Sequence, residues 1–166
     1  MRQFWQAMNY EPRLEDIEFV SNQLLPSQLR LFLKMQPSEQ THSIWICKKL
    51  IEQGQTEQEL LAAALLHDIG KTRYPLKIWD RAMIVILNTL LPGVAARLSQ
   101  KSPDGWARPF VVAVRHPEWG AEMALNSGAS PLTARLIRRH HEPVAETHKA
   151  IEDVMLYHMQ VLDNEG

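Results

Sequence analysis

The pattern of apolar and polar positions predicts helices nearly throughout. The clearest stretch is Leu60–Lys71, LLAAALLHDIGK. Leu60, Ala64 and His67 share one helical stripe, and Leu61, Leu65 and Asp68 the next. Apolar residues at three- and four-residue spacings also predict helices over Leu14–Leu25, from Ser27 through Met35, over Glu39–Gln53 and from Asp80 through Leu91. Shorter segments follow to Gln100 and from Ala107 to Val114. Further helices are expected from Pro117 to Asn126, from Ser130-Pro131 to Pro143, and from Ala145 to Asp163. Ser27 and Ser38 read as N-caps, Thr56 with Glu59 as a capping box, and Pro117 as the first residue of its helix. Gly54 and Gly128 read as stops, and residues 1–12 as a loosely docked arm. TRYPLKIW is expected to be a loop turning at Pro75, and SPDG at 102–105 a turn. No run alternates as a strand would. The expectation is an all-α bundle of seven to nine helices.

The polar residues that interrupt the apolar stripes carry the chemistry. His42 lies four residues before Ile46 on an inward stripe. Leu132, Leu136 and His140 are spaced by four, as are Thr133, Ile137 and His141; Leu156, Met159 and Asp163 continue one face. A buried carboxylate costs several kcal/mol unless something pairs with it. The His67-Asp68 pair at the end of a core helix therefore suggests a metal. A plain His–Asp hydrogen bond or a helix cap would account for that pair equally well. Five histidines (His42, His67, His116, His140, His141) and two aspartates (Asp68, Asp163) fall at helix ends or inward positions. So many in one small helical domain are hard to satisfy as ordinary core groups. Imidazoles with carboxylates suit Fe, Mn, Zn or Co, and seven donors exceed the needs of one ion. Two ions sharing a carboxylate fit the count better. His148 and His158 match no stripe and read as surface residues.

Composition narrows the class without altering it. The chain has 166 residues, 45% hydrophobic and 22% charged, as expected of one globular domain. Its net charge of -1 gives no general argument for nucleic acid or an anionic membrane. The single cysteine, Cys47, excludes an internal disulfide, suits a reducing cytoplasmic setting and reads as a small core residue. No stretch is long enough to span a membrane, and the N-terminus lacks the apolar run of a signal peptide.

His42, His67-Asp68 and Asp163 match the H…HD…D signature of the HD superfamily of metal-dependent phosphohydrolases, which the chain resembles from about Ser38 to Asp163. HDIGK, His116 in HPEWGAEMAL and the His140-His141 doublet in HHEP resemble its binuclear branch, which includes the HD-GYP cyclic-dinucleotide phosphodiesterases. The resemblance implies a single-domain HD-type helical fold over 38–166, with residues 1–37 as an arm and short helices packed on it. It implies His42, His67, Asp68 and Asp163 on one divalent metal, and Asp68 bridging to a second held by His116, His140 and His141. Iron or manganese come first, with Zn, Co, Ni or Mg as other candidates. Lys71 is expected to point at substrate phosphate, Gly70 letting the backbone turn towards it. The implied substrate is a phosphate-containing small molecule of nucleotide or cyclic-nucleotide type, with no general nucleic-acid binding. HHE is followed here by Pro143-Val144 instead of a DGxGYP loop, which removes the best support for cyclic di-GMP.

Two competing readings remain. An HD-type di-iron oxygenase has a similar ligand pattern but typically a single His where this chain has His140-His141. A non-catalytic metal-bound scaffold would not need so full a ligand set. Arg115, Arg135, Arg138 and Arg139 adjoin ligand positions and are candidates for phosphate binding, with a solvated helix face as the favoured account. The apolar helix around Ile84–Leu91 is a candidate for homodimer formation, with a plain core helix favoured.

Overall fold

The computed structural model of the chain describes residues 11–144 and 150–165. Among these there is no strand, and nine α-helices form: α1 (Leu14–Gln23), α2 (Pro26–Phe32), α3 (Pro37–Glu52), α4 (Gln58–Leu66), α5 (Ile78–Leu90), α6 (Pro92–Leu98), α7 (Arg108–Asn126), α8 (Pro131–Arg139) and α9 (Ile151–Glu165). A 3₁₀ turn, Ile69–Arg73, follows α4. The expected arm lies mostly outside the described residues, as do the first turns foreseen for the last helix at Ala145 and the surface residue His148.

The fold is built round α4. Its residues from Leu60 to Leu66 are all buried, so α4 is enclosed on every side, as expected of a helix apolar all round. Helices α1, α2, α3, α8 and α9 pack against it. Helix α7 joins this core to the rest: Ala121 and Ala124 lie in the main core, while Phe110, Val111 and Val112 anchor two smaller clusters under α5 and α6.

Gly54 and Gly128 take positive φ, 83° and 86°, and close α3 and α7 as expected. In both, the glycine and the next residue donate to carbonyls of the last turn, Gly54 to Ile51 and Gln55 to Leu50, Gly128 to Leu125 and Ala129 to Ala124. Ser130 caps α8 by accepting from the Thr133 amide at 3.1 Å.

Several helix starts differ from expectation. Ser27 and Ser38 are not caps, because Pro26 and Pro37 occupy the first helical positions instead. The Thr56–Glu59 box does not form; α4 begins one residue later than it would require, with Glu57 as N-cap. Asp80 stands inside α5, where its carboxylate accepts from the Lys77 amide. Pro117 does not start a helix either. It lies within the continuous α7. An internal proline costs about 3 kcal/mol, and burial on both sides, from Phe110–Val112 to Trp119–Ala124, offsets it.

Candidate metal centre

Three of the histidines are oriented by their own helices. His67 Nδ1 lies 2.9 Å from the Ala64 carbonyl, His116 Nδ1 2.9 Å from that of Val112, and His140 Nδ1 2.6 Å from that of Ile137. A carbonyl oxygen only accepts, so Nδ1 must carry the proton in each ring. The lone pair of a neutral ring is thereby left on Nε2, aimed away from the helix. All three rings are buried.

Those Nε2 atoms converge. His116 Nε2 lies 3.3 Å from His140 Nε2 and 3.3 Å from Asp68 Oδ1. His67 Nε2 is buried and has no hydrogen-bond partner. A buried polar atom without a partner is costly, and the cost disappears if a cation sits among such atoms. His42, His67 and Asp163 bring one ligand atom each to within 4.8 Å of one another, and so do His116, His140 and His141. Asp68 stands between the groups. Its Oδ1 is 3.3 Å from His116 Nε2 and its Oδ2 3.6 Å from His67 Nε2. Each carboxylate oxygen thus faces one cluster.

The seven residues come from five places: α3 (His42), the end of α4 (His67-Asp68), the middle of α7 (His116), the end of α8 (His140-His141) and α9 (Asp163). The 3₁₀ turn and α7 approach closely, and this approach depends on Gly70. A Cβ there would lie 2.0 Å from the His116 carbonyl oxygen and 2.7 Å from the Gly120 nitrogen. Gly70 is therefore needed for contact and not, as expected, for a backbone turn; among the described residues only Gly54 and Gly128 have positive φ.

The electrostatics follow the same division. Burial raises the pKa of Asp68, but Lys71, His67 and His116 outweigh it and hold the group well below the usual carboxylate range. Asp163 is half-buried, which raises its pKa, yet it is held well below the usual range by His42, 2.8 Å from its Oδ1, and by His67. Burial lowers His67, but Asp68 and Asp163 overcome this and push it up to about 9. Without a metal, His67 is therefore an imidazolium. Burial and the neighbouring His67, His141 and His116 keep His140 well below its ordinary value and neutral. His141, at the exposed mouth, is held down to about 4 by desolvation of its inner side and by His116. Once His67 yields its proton to an incoming cation, imidazoles and ionised carboxylates of this kind fit a divalent transition metal.

Lys71 is not turned towards open solvent. Its Nζ lies 2.6 Å from Asp68 Oδ2, with about a quarter of the side chain exposed. Of the four candidate arginines, three are tied to surface acids: Arg135 to Glu152, Arg138 to Glu118, and Arg139 to Glu142, Glu152 and Asp153. Arg115 lies over the Trp119 ring.

Two groups escape the sequence reading. Buried Glu39 accepts from Arg81 Nη2 at 2.8 Å and from the Gln36 amide, linking α3 to α5 one turn before His42. Desolvation first, and then Asp68, raise its pKa. Gln160 Nε2 donates to the carbonyls of Arg139, His140 and Glu142, fixing the turn that carries the histidine doublet. The available signals were an arginine inside an otherwise apolar helix, and Gln160 one turn before Asp163.

A family model described as HD domain matches residues 39–165, most of the chain. The chain belongs to the HD-domain family. Membership places it in a superfamily of metal-dependent hydrolases and implies divalent-metal binding. No curated protein and no solved structure matches it.

Proposed function

We propose that this HD-domain protein is a two-metal phosphohydrolase acting on a phosphodiester or phosphomonoester of nucleotide or cyclic-nucleotide type. The observation that carries the proposal is the position of Asp68, with one carboxylate oxygen towards each cluster of imidazoles. One divalent ion is assigned to His42, His67, Asp68 and Asp163. A second is assigned to His116, His140 and His141, with Asp68 as the bridge. Iron or manganese suit these donors best, and residues 38–166 make up the metal-binding domain.

Bound divalent ions would supply Lewis acidity and lower the pKa of water. The chain's own residues supply the rest. The backbone carbonyls of Ala64, Val112 and Ile137 fix the imidazole tautomers, so no reorganisation is needed when a ligand arrives. Asp68 and Asp163, ionised at neutral pH, balance the positive charge. Lys71 steadies Asp68 and has two further N–H donors for a non-bridging phosphoryl oxygen. His141 lies at the mouth, where substrate enters. No serine or cysteine nucleophile is needed; Cys47 is buried in the core, its pKa pushed up to about 12 by desolvation.

The test is elemental analysis of protein purified without chelator, followed by a phosphoester panel with Mn²⁺ and Fe²⁺. Two metals per chain and oxygen-independent release of phosphate or nucleotide are expected. Trace metal only would end the proposal, and a product that requires dioxygen would move the chain to the oxygenases.

A further inference from the structure

Helix α5 is mostly apolar, yet none of its described side chains is buried. One face, with Met83, Ile84 and Leu87, packs on the clusters under α6 and α7. The opposite face carries Trp79, Ala82, Val85, Ile86 and Leu90, all exposed, Trp79 to 82% and Leu90 to 70%. Leu91 and Val94 extend it into α6. The favoured expectation of a plain core helix does not hold, because nothing in the described chain covers this side.

The charge distribution indicates what does. From Lys71 to Arg115 the chain carries eight lysines and arginines and two aspartates, a net charge of +6. The remainder carries ten lysines and arginines and seventeen acids, a net charge of -7. The whole-chain value of -1 conceals this division. Among the described residues, Lys77, Arg97 and Lys101 make no ion pair with an acid, and Lys101 lies over the exposed Trp106 ring. Exposed aliphatics, tryptophans and unpaired cations in one segment are what the interfacial region of an anionic bilayer accommodates. Lys71 and Arg81 are paired with Asp68 and Glu39 from outside the segment, which leaves +4 that a second copy would set against +4. A nucleic acid would match the charge but leave Ile86, Leu90 and Leu91 without a partner. Spanning is excluded for α5, whose thirteen residues cover about 20 Å against a hydrocarbon core of about 30 Å. No helix of the described chain is long and apolar enough to cross a membrane.

We propose that the α5–α6 segment docks the protein on a membrane surface bearing anionic phospholipid, with the Trp79–Leu90 face inserted and Lys77, Arg97 and Lys101 at the headgroups. This goes beyond the hydrolase assignment and does not depend on it.

The full chain, metal-loaded, is floated with vesicles of pure phosphatidylcholine or with about one-third phosphatidylglycerol. Its mass is followed by light scattering. The protein should float with the anionic vesicles only and be released by roughly 0.5 M salt. Ile86→Asp with Leu90→Asp, at exposed positions, should keep the fold and metal content and lower partitioning more than about 10-fold. Lys77→Gln, Arg97→Gln and Lys101→Gln together should lower it on the order of 100-fold, at about fivefold per charge. Wild type that stays unbound to anionic vesicles overturns the proposal. If it is then a dimer that Ile86→Asp separates, the face belongs to a second copy. Equal binding to neutral and anionic vesicles overturns the role of the cations.

Discussion

Replacing Gly70 by alanine should damage the metal centre more than any other single methyl addition to a glycine. The new Cβ would lie 2.0 Å from the His116 carbonyl oxygen. An ordinary carbon–oxygen contact is about 3.3 Å, so about 1.3 Å of movement is required. The three nearest atoms (the carbonyl oxygen and carbon of His116 and the nitrogen of Gly120) are all backbone, and no rotamer change relieves the clash. Separation of the 3₁₀ turn from α7 should cost about 3 kcal/mol, the upper range for overpacking. It also draws Asp68 away from His116, where the present separation is 3.3 Å. Ligand sets tolerate about 0.5 Å of misplacement, so metal affinity at the second cluster should fall at least 10–100-fold. Two other glycines serve as controls. At Gly120 the nearest atoms to a new Cβ, the Gly70 nitrogen and Ile137 Cγ2, are at 3.2 Å, so a shift of a few tenths of an ångström suffices and about 1 kcal/mol is expected. At Gly93 nothing lies within 4 Å, and alanine should be neutral or stabilising. Urea midpoints and metal content of the three variants give the order directly. Wild-type stability and full metal content in Gly70→Ala would refute the argument.

Three other perturbations separate the roles within the site. Asp68→Ala removes the proposed bridge and should release both metals, with activity down by several orders of magnitude; two metals retained would mean that another group bridges. Lys71→Met should keep fold and metals while kcat falls about 100-fold, the scale of losing one preorganised donor; unchanged kcat removes Lys71 from the chemistry. For metal-stripped protein, His67 is raised from its ordinary 6.5 to about 9. Its contribution to stability is therefore complete below pH 6.5 and lost as pH rises through about 9. The urea midpoint of stripped protein should fall across that window, whereas metal-loaded protein, with the metal in place of the proton, should not show this loss. A flat profile for stripped protein would mean that His67 is already neutral.

The sequence made much of this legible because the signals were local. Leu60–Leu66 joins strong helix formers to an unbroken apolar run, and both propensity and burial favour α4. His67, His140 and Asp163 continue apolar stripes, and a stripe points wherever the helix packs. What stayed hidden depended on distant neighbours. Gly70 looks like a turn glycine until α7 is placed beside it. Pro117 looks like a helix start, and only burial on both sides lets α7 run through it. Arg81 gives no sign that its partner is Glu39, forty-two residues earlier. The apolar run in α5 looks like core because sequence does not show whether another layer lies above it.

The two clusters also differ in how far apart along the chain their members lie, which bears on the order of assembly. His116 and His140 are 24 residues apart, on consecutive helices, whereas His42 and Asp163 are 121 apart. Closing the longer loop costs about 1.4 kcal/mol more in chain entropy. As the chain folds, α7 and α8 can therefore meet before α3 meets α9, so the three imidazoles of His116, His140 and His141 can gather first. A cation captured at that stage would hold α7 against α8 early. The first cluster then closes later, when α9 packs against α3 and brings Asp163 to His42.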